Sequence, residues 1–238
     1  MDLSVILVGA GEGRRMGGSG PKLLLDLGGR TLLERSAAAF LRHPAVGEIV
    51  AVVPAPLLDR ATAALEGTAR PGAPASPSAG RIRVVAGGAT RQESVRRGLE
   101  ASSRDAAFVA VHDVARPLVT VELIERVYRA ARAHGAAIPA LPIRDTVKEV
   151  ADGRVVRSVP RDRLQGAQTP QVFARDILAR AHEARAARGD ATDDAALVEA
   201  SGTAVHVVPG EASNVKITDP ADLVTARALL LQGYGERD

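Results

Sequence analysis

The sequence predicts an α/β fold: a mostly parallel sheet with helices on both faces and a β-hairpin arm projecting from it. Three observations lead there. Short apolar runs alternate with segments of helical periodicity, capping signals open the helices, and the alternation breaks once, around Asp152-Gly153. A length of 238 residues suits one domain over 1–238, and 46% hydrophobic with 25% charged residues is an ordinary globular composition.

Residues 3–9, LSVILVG, are a continuous apolar run short enough for a buried strand, and they end in a glycine-rich loop. Thr31 with Glu34 is a capping box opening a helix to about Leu41. EIVAVV at 48–53 is the next buried strand, and a helix follows to about Glu66. Residues 67–80 hold three Gly, three Pro and two Ser with one charge, the composition of a flexible surface loop. RIRVVAGG at 81–88 restores the strand-to-glycine pattern, and Thr90 with Glu93 is a second capping box, for a helix to about Ala101. AAFVAVHD at 106–113 is a buried strand ending on polar residues, Thr120 caps a helix to about His134, and AAIPALP at 136–142 is another strand. Such alternation implies right-handed βαβ crossovers, with ligands at the carboxyl ends of the strands.

After Pro142 the rhythm changes. IRDTVKEV and RVVRSVP flank Asp152-Gly153, a strong hairpin signal, so residues 143–165 read as an inserted arm. A lone two-stranded hairpin is marginal in water, and a second subunit can supply the surface it needs. Helical periodicity returns at 174–188 and 193–201, TAVHVVPG at 203–210 is a last strand, and Asp219-Pro220 sets an N-cap and an N1 proline before another helix.

Composition excludes several functions. Without cysteine there are no disulfides, thiolate nucleophiles, Cys-based zinc sites or iron–sulfur clusters, and the five histidines lack metal-ligand spacing. No run approaches the roughly 18 apolar residues of a membrane helix, and Asp2 stands where a signal peptide carries basic charge, so a cytoplasmic location away from membranes is expected. The net charge is only +3, the basic residues are scattered and aromatics are 2%, which argues against nucleic acid as a partner. All but three of the 31 basic residues are Arg; Lys22, Lys148 and Lys216 mark places where a compact ammonium is wanted.

Gly9-Ala10-Gly11-Glu12-Gly13-Arg14-Arg15-Met16, followed by Gly20-Pro21-Lys22, is the most informative segment. Glycines let backbone N–H groups converge on a phosphate, and two guanidiniums and an ammonium add countercharge, so a polyphosphate is the natural guest; the alternative is a tight turn with solvated arginines. The dinucleotide fingerprint fails because Arg14 stands where its third glycine belongs, and Walker A fails because no hydroxyl follows Lys22. Asp113 ends a buried strand, where an acid could hold a ribose or polyol hydroxyl or a metal, and Arg116 could reach a phosphate; the alternative is a local Asp–Arg pair closing the turn. His112 reads as a packed core residue. Gly87-Gly88 before a helix N-terminus could meet a base edge or a phosphate, and Lys216 lies in a short extended segment before a capped helix.

GAGEGRRM with PK, then GGATRQESV, HDVARP, RDTVK, QTPQVF, ATDDAALVE and NVKIT, in this order, resemble the 2-C-methyl-D-erythritol 4-phosphate cytidylyltransferase family over nearly the whole chain. The resemblance implies a Rossmann-like nucleotidyltransferase fold and transfer from CTP to a polyol phosphate, with Mg²⁺ bound mainly through the CTP phosphates. It implies that Arg15, Lys22 and Lys216 are catalytic, and that Gly9, Ala10, Gly11, Gly13, Gly88, Ala89 and Ser94 bind the nucleotide. Asp113, Arg116, Thr146, Arg161, Thr169 and Lys216 would bind the second substrate, and Arg161 would reach the site of a partner in a homodimer joined by the arm. Val8-Gly9-Ala10-Gly11 departs from the family's usual Ala-Ala-Gly, Glu12 puts an acid in the phosphate loop, and Ala89 stands where some members carry an acid. Ribitol 5-phosphate cytidylyltransferase is the nearest alternative, and a non-catalytic CTP-binding protein is another.

Overall fold

The computed structural model describes residues 2–10, 21–66, 68, 81–185 and 191–235. The main sheet has eight strands, with β1 (Leu3–Val8), β2 (Val46–Val53), β3 (Arg81–Ala86), β4 (Phe108–Asp113), β5 (Ala136–Pro142), β8 (Gln165–Ala167), β9 (Gln171–Ala174) and β10 (His206–Pro209). Their order is β10-β5-β9-β4-β1-β2-β3, and β8 pairs with the remaining length of β5. β4, β1, β2 and β3 pair in parallel, as do β5 and β10, whereas β9 runs antiparallel to both neighbours.

The helices are α1 (Leu32–Arg42), α2 (Leu58–Glu66), α3 (Arg91–Ala101), α4 (Val121–His134), α5 (Arg175–Arg185), α6 (Asp194–Ala200) and α7 (Pro220–Leu231). They cover both faces because alternate residues of each strand point to opposite sides. Leu3, Val5 and Leu7 pack with α1, α2 and α4 through Phe40, Leu65 and Val127. Ile6, Val50 and Val111 pack on the other face with α3, α5 and α6 through Val95, Leu178 and Val198.

Thr31 makes the expected capping box with Glu34. At α3 only half of the second box forms. Thr90 Oγ1 accepts the Glu93 amide, but the Glu93 carboxylate accepts from Ala89 N at 2.8 Å, one residue earlier, while Arg97 holds its other oxygen. The arm is a separate antiparallel pair, β6 (Val147–Ala151) and β7 (Arg154–Val159). Asp152 and Gly153 both have positive φ, 51° and 74°, as a two-residue hairpin turn with right-handed strand twist requires. Val150, Val155 and Val156 are exposed on it.

The structure corrects the sequence reading between residues 165 and 174. β8 and β9 are strands that the sequence does not signal, and β9 inserts antiparallel between β4 and β5, so the crossover pattern is interrupted. Four residues following a proline carry no periodicity to read. The 67–80 loop apart from Thr68, and the last residues of the 174–188 helix, lie outside the described residues. Among the described residues no helix is long and apolar enough to cross a membrane.

Candidate active site

A pocket of about 520 Å³ opens at the carboxyl ends of β1 and β4, where an open α/β sheet places its ligands. Gly9, Ala10 and Lys22 form one wall and Gly88, Ala89 and Ser94 another. Asp113 and Lys216 close the third side with Arg91 and Thr218.

The glycine pair before α3 permits a close approach. A Cβ at Gly87 would stand 2.5 Å from Ala10 Cβ and 2.9 Å from Ser94 Oγ, so the two walls meet there only without a side chain. Ser94 is wholly buried; its Oγ donates to Thr90 O and accepts from Gly88 N, shaping the turn.

Asp113 and Lys216 are directly paired, Lys216 Nζ donating to Asp113 Oδ2 at 2.6 Å, and Arg91 Nε lies 3.5 Å from Asp113 Oδ1. Burial opposes ionisation of Asp113, but the charges of Arg91 and Lys216 and the Lys216 hydrogen bond outweigh it and hold the carboxyl at about 2. Burial also works against the Arg91 charge, yet Asp194 and Asp113 outweigh it and raise this guanidinium above the ordinary arginine value.

His112 is wholly buried, as expected of a core residue, with its edge against Phe40. Its Nε2 bonds Arg116 O and its Nδ1 bonds Thr169 Oγ1, each at 3.1 Å. Burial pushes the imidazole down to about 4 despite the neighbouring Asp113 charge. In the neutral form, Nε2–H donates to the carbonyl and Nδ1 accepts from the hydroxyl, an assignment made from these partners.

Several expected site residues sit elsewhere. Thr169 does not line the pocket: its hydroxyl accepts from Asp113 N at 3.1 Å and bonds His112, so it holds the end of β4 from behind. Arg116 is likewise a strut, because desolvating so large a cation requires acceptors close by. Its Nη1 donates to Asn214 O at 2.7 Å and its Nη2 to Ala167 O at 3.4 Å. With Asn214 Nδ2 on Thr169 O and Ile217 N on Ala115 O, this fixes the segment that carries Lys216 over Asp113. Thr146 and Arg161 are exposed and do not line this pocket. Gly11, Gly13 and Arg15 lie outside the described residues.

Sequence reasoning misses Arg91 and Thr218. Arg91 follows the N-cap Thr90, and a first-turn side chain beside strand ends faces the same crevice as the helix amides; that placement is the available signal.

The profile of the 2-C-methyl-D-erythritol 4-phosphate cytidylyltransferase family matches residues 3–232. A curated relative of that name from Frankia casuarinae is 46% identical over 230 residues, 96% of this chain and 81% of the relative. The bifunctional enzyme IspD/IspF of Nitrobacter winogradskyi is 43% identical over 98% of this chain, which spans 57% of that enzyme's length. Among solved structures, 2-C-methyl-D-erythritol 4-phosphate cytidylyltransferase from Thermus thermophilus is 41% identical with a TM-score of 0.76, over 96% of this chain and 98% of that one. The 4-diphosphocytidyl-2C-methyl-D-erythritol synthase from Anaerococcus prevotii reaches a TM-score of 0.82 at 32% identity, over 97% and 98%. Matched in sequence and in fold over nearly its whole length, the chain belongs to the 2-C-methyl-D-erythritol 4-phosphate cytidylyltransferase family.

Proposed function

We propose that the protein transfers the cytidylyl group of CTP to 2-C-methyl-D-erythritol 4-phosphate, giving 4-diphosphocytidyl-2-C-methyl-D-erythritol and pyrophosphate for non-mevalonate isoprenoid biosynthesis. The observation that carries this reading is a cationic pocket at the strand ends in which Lys22 and the Asp113–Lys216 pair face a glycine-walled crevice. A phosphate oxygen of the acceptor attacks the α-phosphorus; the new O–P bond forms as the α–β bridging bond breaks, and its electron pair leaves with pyrophosphate. The nucleophile is already an anion, so no general base is needed. Catalysis is positioning and charge stabilisation.

Lys22 and Arg15 hold the triphosphate, and Gly9, Ala10, Gly11, Gly13, Gly88, Ala89 and Ser94 hold the nucleotide. Lys216 and Asp113 face the acceptor, and Thr146 and Arg161 reach it from the arm of a second subunit. Arg116 and Thr169 act on it through Asp113 and the Lys216 segment.

Among the described residues no group of three or more metal-ligating side chains converges, and Asp113, the pocket's carboxylate, is already ion-paired. Magnesium fits this site as an ion carried on CTP oxygens, where it would supply charge neutralisation of the phosphates. The homodimer rests on the arm, whose exposed valines need a partner surface. The protein works in the cytoplasm, away from membranes and nucleic acid.

Pyrophosphate release by the purified protein with Mg²⁺ and CTP tests the reading. Release with methylerythritol phosphate, and not with ribitol 5-phosphate or without acceptor, is expected; CTP binding without release would leave only a nucleotide-binding protein. In the same assay Gly87→Ala, which forces the two walls apart, is expected to lower kcat/KM by ~10-fold or more, since small misplacements of reacting groups are costly. An unaltered value would show that the walls need not touch.

A further inference from the structure

Arg91 is held from behind the pocket. Its Nη1 donates to Asp194 Oδ2 at 2.7 Å while its Nε stays 3.5 Å from Asp113 Oδ1. Asp194 is wholly buried at the start of α6, and that helix end is pinned to β9 by Gln171, which donates to Asp193 Oδ2 and accepts from Ala195 N. The other oxygen of Asp194, Oδ1, is buried with no hydrogen-bond partner among the described residues and faces His182 Nε2 at 3.5 Å. Both nitrogens of that buried imidazole also lack a hydrogen-bond partner among the described residues. His182, Asp194, Arg91, Asp113 and Lys216 thus form a row. It runs from beneath a surface groove lined by residues of α3 and α5 to the substrate pocket.

A buried carboxylate with one oxygen unbonded is costly to fold, so its strong bond to Arg91 is what the site gains from it. We infer that Asp194 is a positioning residue: it holds the Arg91 guanidinium back from Asp113, leaving Asp113 to Lys216 and turning Arg91 toward an anionic substrate in the pocket. Without the Asp194 charge, Arg91 closes on Asp113 in competition with Lys216. This inference rests on the functional reading above for the substrates' identity, and on the ion-pair geometry for the coupling.

The test is a double-mutant cycle on the full chain, reading kcat and KM for both substrates in the wild type, Asp194→Asn, Arg91→Gln and the double variant, with cooperative thermal unfolding checked for each. Each single change is expected to lower kcat/KM roughly 10-fold, as losing a hydrogen bond to a charged group does, and the double variant should lose no more than Arg91→Gln alone. Losses that multiply, or an Asp194→Asn enzyme as active as wild type, overturn the inference. If Asp194→Asn does not fold, Arg91→Lys asks the question from the other end, because a compact ammonium lacks the planar fork that lets one nitrogen bond Asp194 while the rest of the group faces the pocket. Full activity in Arg91→Lys overturns the inference. A wild type that releases no pyrophosphate defeats the functional reading alone, and the cycle is then read in CTP affinity by calorimetry; a wild type that binds no CTP defeats both.

Discussion

In the Lys216→Ala enzyme, kcat for cytidylyl transfer is expected to fall ~10²-fold or more, the usual cost of removing one preorganised electrostatic donor. The ammonium sits 2.6 Å from Asp113, on a segment braced by Arg116 and Asn214, so it is delivered to a fixed point. Its loss also leaves the buried Asp113 carboxylate with Arg91, 3.5 Å away. Lys22→Ala is expected to act on the same scale. Lys148 supplies the control: it is exposed on the arm and donates to Ser158 Oγ, so Lys148→Ala should stay within about ±0.5 kcal/mol in stability and keep its rate. Steady-state pyrophosphate release checks the three rates and urea unfolding the stability of Lys148→Ala, and an unchanged kcat in Lys216→Ala would remove it from the chemistry. The acid limb of the rate profile should not come from Asp113. Its lowered value means that its charge, and the stability tied to it, persist above the unfolded carboxylate value and vanish only as pH falls through about 2.

The second large effect is on stability. The unfolded His112 imidazole takes up a proton near its ordinary 6.5, whereas the buried one resists until about 4. Between those values the unfolded chain binds more protons, so stability rises with pH across the window and is lost as pH falls through it. The accumulated difference at the acid end is about 3 kcal/mol, a large share of a typical domain's stability. Urea unfolding at several pH values between 4 and 7, on wild type and His112→Gln, measures it. The wild type should show the steeper slope whatever the two absolute stabilities are, and parallel slopes would mean that His112 is not held neutral.

Much of this fold is legible because its local signals agree with its tertiary structure. β1, β2 and β4 are apolar runs buried on both faces, Thr31 and Thr120 cap the helices that follow β1 and β4, and Asp219 caps α7 after β10. Asp152-Gly153 turns the hairpin because both residues tolerate positive φ. β9 is not legible, since Gln171–Ala174 becomes a strand only by filling the gap between β4 and β5. In the site, residues on strand ends and glycine turns, such as Gly88 and Asp113, can be placed from sequence. Arg116 and Thr169 cannot: whether a polar group faces the pocket or braces its wall depends on acceptors from the backbone of Ala167 and Asn214 and on the amide of Asp113, which no motif encodes. Arg91 escapes notice because its partner Asp194 is far away in sequence.

The pocket draws Lys22 from near one end of the sequence and Lys216 from near the other, and the latter reaches its place only when Ile217 N bonds Ala115 O and Asn214 bonds Thr169 O. During synthesis from the N-terminus, β1 to β4 and their helices can assemble while the segment from His206 onward is still unmade. A nascent chain can therefore own a nearly finished sheet and the glycine walls without the ammonium opposite them. The reacting pocket is complete only once the segment from His206 onward docks against it.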